Sequence, residues 1–143
     1  MAQENKPIVN TDGLFQVGII VRDLHKSMQL YEELLGIKDW ADIELTRETF
    51  DSLTYQGKPV ENVRFITGMA DIGAIQLELI QPVDGNSPFS DFLKEHGEGL
   101  HHLGHIHVPD LDAVVSDLEA WGYPCLLVGG VGGIKFAYDD MVN

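Results

Sequence analysis

Cysteine is nearly absent from this 143-residue chain: Cys125 stands alone. One cysteine makes no intrachain disulfide and no cysteine-based zinc site, which points to a reducing, cytoplasmic setting. Positive charge is scarce too. Nine Lys and Arg face 23 Asp and Glu, for a formal charge of −14. Such a chain repels phosphate backbones and anionic lipid, which argues against nucleic acid and membrane surfaces as partners. No apolar run approaches the ~20 residues of a membrane span. The opening Met1–Lys6 carries no signal-peptide pattern, and residues 1–12 read as a polar arm.

What is present is the material of one globular domain, with 44% hydrophobic residues. Within it runs an internal echo. Gln16-Val17-Gly18-Ile19-Ile20 returns as His102-Leu103-Gly104-His105-Ile106, and Gly36 returns as Gly122, all at one constant offset. Self-similarity at a fixed offset marks a repeated structural unit. The two copies span about 13–83 and 98–143, within a single domain over 13–143. Gln16 and His102, both able to ligate a metal, take equivalent places.

Each copy reads as a strand, a helix and further strands. In the first, 14–21 is a strand. Helix 24–35 follows, with Asp23 as N-cap, Gly36 as stop and Leu24, Met28, Tyr31, Leu34 and Leu35 on one face. Residues 39–54 have a weak pattern. Strands follow at 62–66 and 74–80, separated by a turn over 68–73, and 81–88 reads as a linker. A short helix is expected over 89–95. The second copy has a strand over 100–108 and a helix over 110–121, with Trp121 on the apolar face. A Gly-rich stretch over 129–133 and a strand over 134–138 close it. The expected architecture is α+β: two βαβββ units forming a curved mixed sheet around a cavity, helices outside, with the final strand missing. An extra residue between Gly104 and Asp110, relative to the first copy, signals a bulge in the second copy's first strand. In a regular strand His102 faces opposite to His101, His105 and His107. A one-residue slip reverses that assignment.

The duplication, the string Gly97-Glu98-Gly99-Leu100-His101-His102, and Gln76-Leu77-Glu78-Leu79-Ile80-Gln81-Pro82 together resemble the vicinal oxygen chelate superfamily. Its methylmalonyl-CoA epimerases and glyoxalase-like members are the nearest in pattern. The Gly-rich segment and the strand after it are similar to the same region of those epimerases. The resemblance implies a divalent metal (Co, Ni, Mn, Zn or Fe) held by Gln16, Glu78 and His102. The fourth ligand of the family, a Glu in a final strand, has no match here. It further implies Glu61 as the catalytic carboxylate, Arg64, His105 and Tyr138 as substrate contacts, and a homodimer.

The residue types fit such chemistry. Two oxygens and an imidazole suit an ion of intermediate hardness. A Lewis acid beside a carbonyl assists loss of the adjacent proton to give an enediolate, the step shared by epimerisation and glyoxalase-type isomerisation. The expected function is a metal-dependent lyase or isomerase acting on a small carbonyl compound or an acyl-CoA thioester. Two alternatives stand beside it: a metal-free small-molecule-binding protein of the bleomycin-resistance type, and an iron-dependent dioxygenase with a second imidazole from His105 or His107.

Overall fold

The computed structural model describes residues 6–104 and 107–141. The α+β expectation holds. Nine strands and three helices follow the order β1 (Gln16–Ile20), α1 (Leu24–Leu35), β2 (Ala41–Thr46), β3 (Ser52–Tyr55), β4 (Lys58–Pro59), β5 (Val63–Ile72), β6 (Ile75–Gly85), α2 (Pro88–His96), β7 (Gly99–Gly104), α3 (Leu111–Ala120), β8 (Cys125–Val131) and β9 (Ile134–Asp139) among the described residues. The strands lie in two sheets, ordered β2-β5-β6-β1-β7 and β4-β3-β8-β9. The copies interlock: β7 of the second joins the first copy's sheet beside β1, and β3 of the first pairs with β8 of the second. Beyond β1 and β8, neither β7 nor β9 has a further strand partner among the described residues.

Helix α1 follows its sequence signals. The Asp23 side chain accepts from Lys26 N at 3.0 Å, and Gly36 closes the helix at φ 69°. Its seam is shorter than the periodicity suggests. Leu24, Met28 and Tyr31 pack with Val21, Leu77 and Leu79, whereas Leu34 and Leu35 are 71% and 66% exposed. The returning chain at Ile37 and Trp40 closes that end of the core instead of the helix's last turn. Trp121, expected on a buried face, is likewise exposed at the end of α3.

The turn expected at 68–73 is a strand. β5 continues through Gly68 and pairs with β6 along its length, the reversal being confined to Gly73 and Ala74. Gly68 serves packing: a Cβ there would meet Met28 Sδ at 2.8 Å, so the glycine lets α1 approach the sheet. The linker reading of 81–88 also gives way, since β6 runs to Gly85. A bulge between Arg64 and Phe65 absorbs the ladder's irregularity opposite Pro82, which has no N–H to donate. The weak 39–54 region holds β2, a short 3-10 turn at Arg47–Thr49 and the start of β3. Gly132 and Gly133 form a tight hairpin turn between β8 and β9, both with positive φ.

The space between the sheets is packed. Ile20, Phe50, Leu53, Phe65, Phe89 and Leu127 belong to one buried apolar cluster there. Burial of this size is the main stabilising term of the fold. Helix α2 plugs one side through Phe89, which is 2% exposed. Ser87 caps that helix by accepting from Ser90 N at 3.1 Å, and Tyr55 Oη donates to Asp91 Oδ2 at 2.6 Å, tying α2 to β3.

Candidate active site

The three central strands bring the two copies' polar residues together. Parallel pairing of β1 with β6 sets Gln16 opposite Gln76 and Gly18 opposite Glu78. Antiparallel pairing of β1 with β7 sets Gly18 opposite His102. Strand alternation does the rest. Leu77 and Leu79 pack under α1, while Ile20 and Ile80 enter the core between the sheets. Gln16, Glu78 and their neighbours of the same parity therefore share that inner face, as the alternation around Glu78 predicted.

Gly18 explains how the cluster closes. A Cβ at this position would fall within the His102 imidazole, so the ring occupies space that only glycine leaves free. From there His102 Nε2 lies 3.2 Å from Gln16 Oε1, a contact between residues 86 apart, and 3.3 Å from Glu78 Oε2. Gln16 Nε2 donates to Gln76 Oε1 at 2.8 Å, which turns Gln16 Oε1 toward the histidine. Gln76 escapes a search of the sequence for acids and histidines. Its signal was its place one pleat from Glu78 on the same face.

The cluster is shielded from water. Gln16 is 3% exposed and Glu78 9%. Glu78 Oε2 nevertheless makes no hydrogen bond, although it lies near His102. A desolvated carboxylate oxygen without a donor is costly. A divalent cation satisfies it, and the spacing fits. Donors bound at about 2.0–2.2 Å to one ion sit roughly 3.0–3.5 Å apart, the range of the two separations measured here. No cluster of three or more His, Cys, Asp and Glu occurs among the described residues, because the third donor is the amide oxygen of Gln16. Gln16, Glu78 and His102 could thus hold an ion between them.

His101 differs from its expected position. A bulge falls at His101, opposite the Gly18–Ile19 step, while the extra residue expected between Gly104 and Asp110 falls on a stretch that includes residues 105–106, outside the described residues. Consecutive residues at a bulge can share a side, and here the two rings meet, with Nδ1 to Nδ1 at 2.9 Å. Burial first, then the neighbouring His102, pushes His101 down to about 4, so its ring is neutral at pH 7. Tyr138 completes the wall. Its ring centroid lies 4.9 Å from that of His102, and burial followed by the charge of Glu78 raises its hydroxyl pKa well above the ordinary value. Phe89 stacks edge-on against His101 at 5.2 Å and Tyr138 at 5.7 Å.

Tyr138 is the one expected substrate contact that the structure brings to the cluster. Glu61 is exposed in the connection from β4 to β5. Arg64 pairs with Glu44 and is 50% exposed. His105 lies outside the described residues, and His107 is exposed. A second imidazole for a two-histidine iron site is therefore not supplied by His107, while His101 Nδ1 is engaged by His102. Surface clefts of about 400 Å³, along Val108–Asp112 and Lys135, and about 280 Å³, between Pro82–Gly85 and α2, contain none of the cluster residues.

The chain is 28% identical over 118 residues to mitochondrial methylmalonyl-CoA epimerase of Mus musculus, covering 82% of this chain and 57% of that protein. The human counterpart is 29% identical over 111 residues, 77% of this chain and 54% of that protein. The chain thus spans little more than half the length of these curated relatives. Among solved structures, methylmalonyl-CoA epimerase from Mycobacterium tuberculosis matches 99% of this chain and 95% of its own, with TM-score 0.59 at 21% identity, a likeness of fold. The family profile described as Glyoxalase/Bleomycin resistance protein/Dioxygenase superfamily matches residues 15–138. With the duplicated strands and the shared inner site, this match is decisive: the chain belongs to the glyoxalase, bleomycin-resistance and dioxygenase superfamily.

Proposed function

We propose that this protein is a divalent-metal-dependent isomerase that epimerises the carbon next to the carbonyl of an acyl-CoA thioester such as methylmalonyl-CoA. The observation that carries the reading is the convergence of Gln16 Oε1 and an unsatisfied buried Glu78 Oε2 on His102 Nε2. The names of the relatives supply the substrate class. A divalent ion (Co, Ni, Mn, Zn or Fe) held there supplies a Lewis acid that polarises a carbonyl. The chain's own residues do the rest. Gln76 orients Gln16, Gly18 admits the imidazole, and Tyr138 presents a hydroxyl that stays protonated and can donate to substrate oxygen. The reaction takes the α-proton from one face and returns a proton to the other. Through the family resemblance Glu61 is assigned the transfer on one face, with Arg64 and His105 as substrate contacts. Glu61→Gln should stop turnover and leave metal content unchanged; full turnover removes it from the role.

The test is α-proton exchange in D2O with methylmalonyl-CoA, using protein stripped of metal and then reloaded with each ion. Exchange restored by one or more ions supports the reading. Absence of both metal binding and exchange overturns it. Exchange of a hemithioacetal instead of the thioester would move the assignment to glyoxalase-type chemistry. A second reading has its own support: hydrogen bonds Gln16–Gln76 and His102–Gln16 hold the cluster together without an ion. A metal-free binding module of the bleomycin-resistance type would bind an aromatic ligand equally well in chelator. We further infer a homodimer, since among the described residues β7 and β9 present strand edges that invite pairing; light scattering measures it. A cytoplasmic location goes with this reading, and fractionation tests it.

A further inference from the structure

We propose that His101 and His102 are a coupled tautomeric pair, with His101 a positioning residue that lets His102 turn its Nε2 lone pair toward a metal. The inference rests on the metal reading of Gln16, Glu78 and His102. The bond between the two rings, Nδ1 to Nδ1 at 2.9 Å, holds one proton, so one ring donates and the other accepts. A neutral imidazole carries one N–H. Without an ion, His102 Nε2 faces two oxygen acceptors, Gln16 Oε1 and Glu78 Oε2. Its proton belongs on Nε2, and its Nδ1 accepts from His101 Nδ1–H. An ion at Nε2 claims that lone pair. The single proton of the His102 ring must then sit on Nδ1, and His101 Nδ1 must become the acceptor.

The protons balance. The shared proton passes from His101 Nδ1 to His102 Nδ1. The proton displaced from His102 Nε2 leaves to solvent, and His101 takes one from solvent at Nε2. Both rings are neutral before and after. Nothing else among the described residues competes for His101: its one hydrogen bond is to His102, and its surroundings are the rings of Phe89 at 5.2 Å, Phe92 at 5.1 Å and Tyr138 at 6.3 Å. The bulge makes the arrangement possible, because a regular strand would send the two rings to opposite faces. A fixed partner on the far nitrogen of a ligating histidine sets its tautomer and ring orientation. His101 is unusual in that role because it can act as donor in one state and acceptor in the other.

The experiment uses the full chain labelled with 15N-histidine. Long-range proton–nitrogen correlation reads both tautomers without metal and with zinc, and zinc affinity is measured by competition with a chromophoric chelator. Both rings should invert on zinc binding. His101→Phe keeps an aromatic ring but no nitrogen, and should weaken zinc by about 10–100-fold. His101→Asn places an amide at the Nδ1 position that can flip between donor and acceptor, and should stay within a few-fold of the parent. A His101 tautomer unchanged by zinc, or His101→Phe binding as tightly as the parent, overturns the proposal while the metal site stands. Zinc that neither binds nor perturbs His102 brings down the metal reading and the proposal with it.

Discussion

β1 and β7 open the two copies of one repeat, yet their surroundings differ. β1 is hydrogen-bonded on both sides, by β6 and β7, and ends in Ile20 at 0% exposure. β7 is paired on one side among the described residues, and its Leu100 and Leu103 are 60% and 59% exposed. The helices repeat the contrast. Leu24, first in α1, is fully buried, whereas Leu111, first in α3, is only partly so. The first copy thus supplies the buried floor, and the second adds β7 with its two histidines and Tyr138 from β9. The site needs both, since its donors come from β1, β6 and β7.

The largest expected effect tests that sharing. Glu78→Ala and His102→Ala, one from each copy, should each lower metal affinity by more than the roughly 100-fold that a supporting residue costs. Calorimetric titration with cobalt or zinc checks this, and a loss confined to one variant would break the symmetry of contribution. Glu78→Ala should spare the melting temperature, because it removes an unsatisfied buried oxygen.

The packing contrast comes next. Leu24→Ala should cost about 2–5 kcal/mol, and Leu111→Ala under about 1 kcal/mol. Urea unfolding of both variants reads the difference, and equal losses would contradict the asymmetry. Gly18 and Gly104 are repeat equivalents with unequal room. A Cβ at Gly18 lands in the His102 ring, but at Gly104 it meets Gln16 Oε1 at 3.0 Å. Gly18→Ala should therefore displace His102 and cost about 1–3 kcal/mol, with metal affinity lost alongside. Gly104→Ala should cost less than about 1 kcal/mol, since a side-chain oxygen can yield.

The smallest effects are in pH, and they oppose each other. His101, held at about 4 against an ordinary 6.5, resists protonation more in the folded chain than in the unfolded one. Its contribution is complete above pH 6.5 and is lost as pH falls toward 4. Asp139 runs the other way. Burial raises its carboxyl pKa above the ordinary 3.8, so the folded chain keeps that proton to higher pH. Its contribution is present below the ordinary value and fades as pH rises through the raised one. Asp139→Asn should remove this dependence and stabilise the chain at pH 7 by under about 1 kcal/mol, because partial exposure screens the charge. Melting curves between pH 4 and 8 separate the two. The part of the acid destabilisation that comes from this ring should be absent in His101→Phe.

Much of this was legible in the chain. Asp23 and Gly36 delimit α1, and alternation about Leu77 and Leu79 puts Glu78 on the face opposite α1's packing. Such signals are local: a cap, a period, a parity. Gly68 misled because a glycine that admits a helix reads like one that makes a turn, and the difference lies in Met28, distant in sequence. Gln76 was invisible for the same reason, since its importance comes from Gln16 across the β1–β6 ladder.

The repeat pointed to the fold class and set Gln16 and His102 in equivalent places, caps and periodicity bounded the helices, and the family resemblance with strand alternation made Glu78 a candidate. Register settled the remainder. A bulge at His101 placed two imidazoles together where simple alternation parts them, and Gly18 made room for one of them. Placing a bulge depends on hydrogen bonds between strands far apart in the chain. That energy is non-local, so the bulge at His101 could not be located from the sequence and waited on the folded sheet.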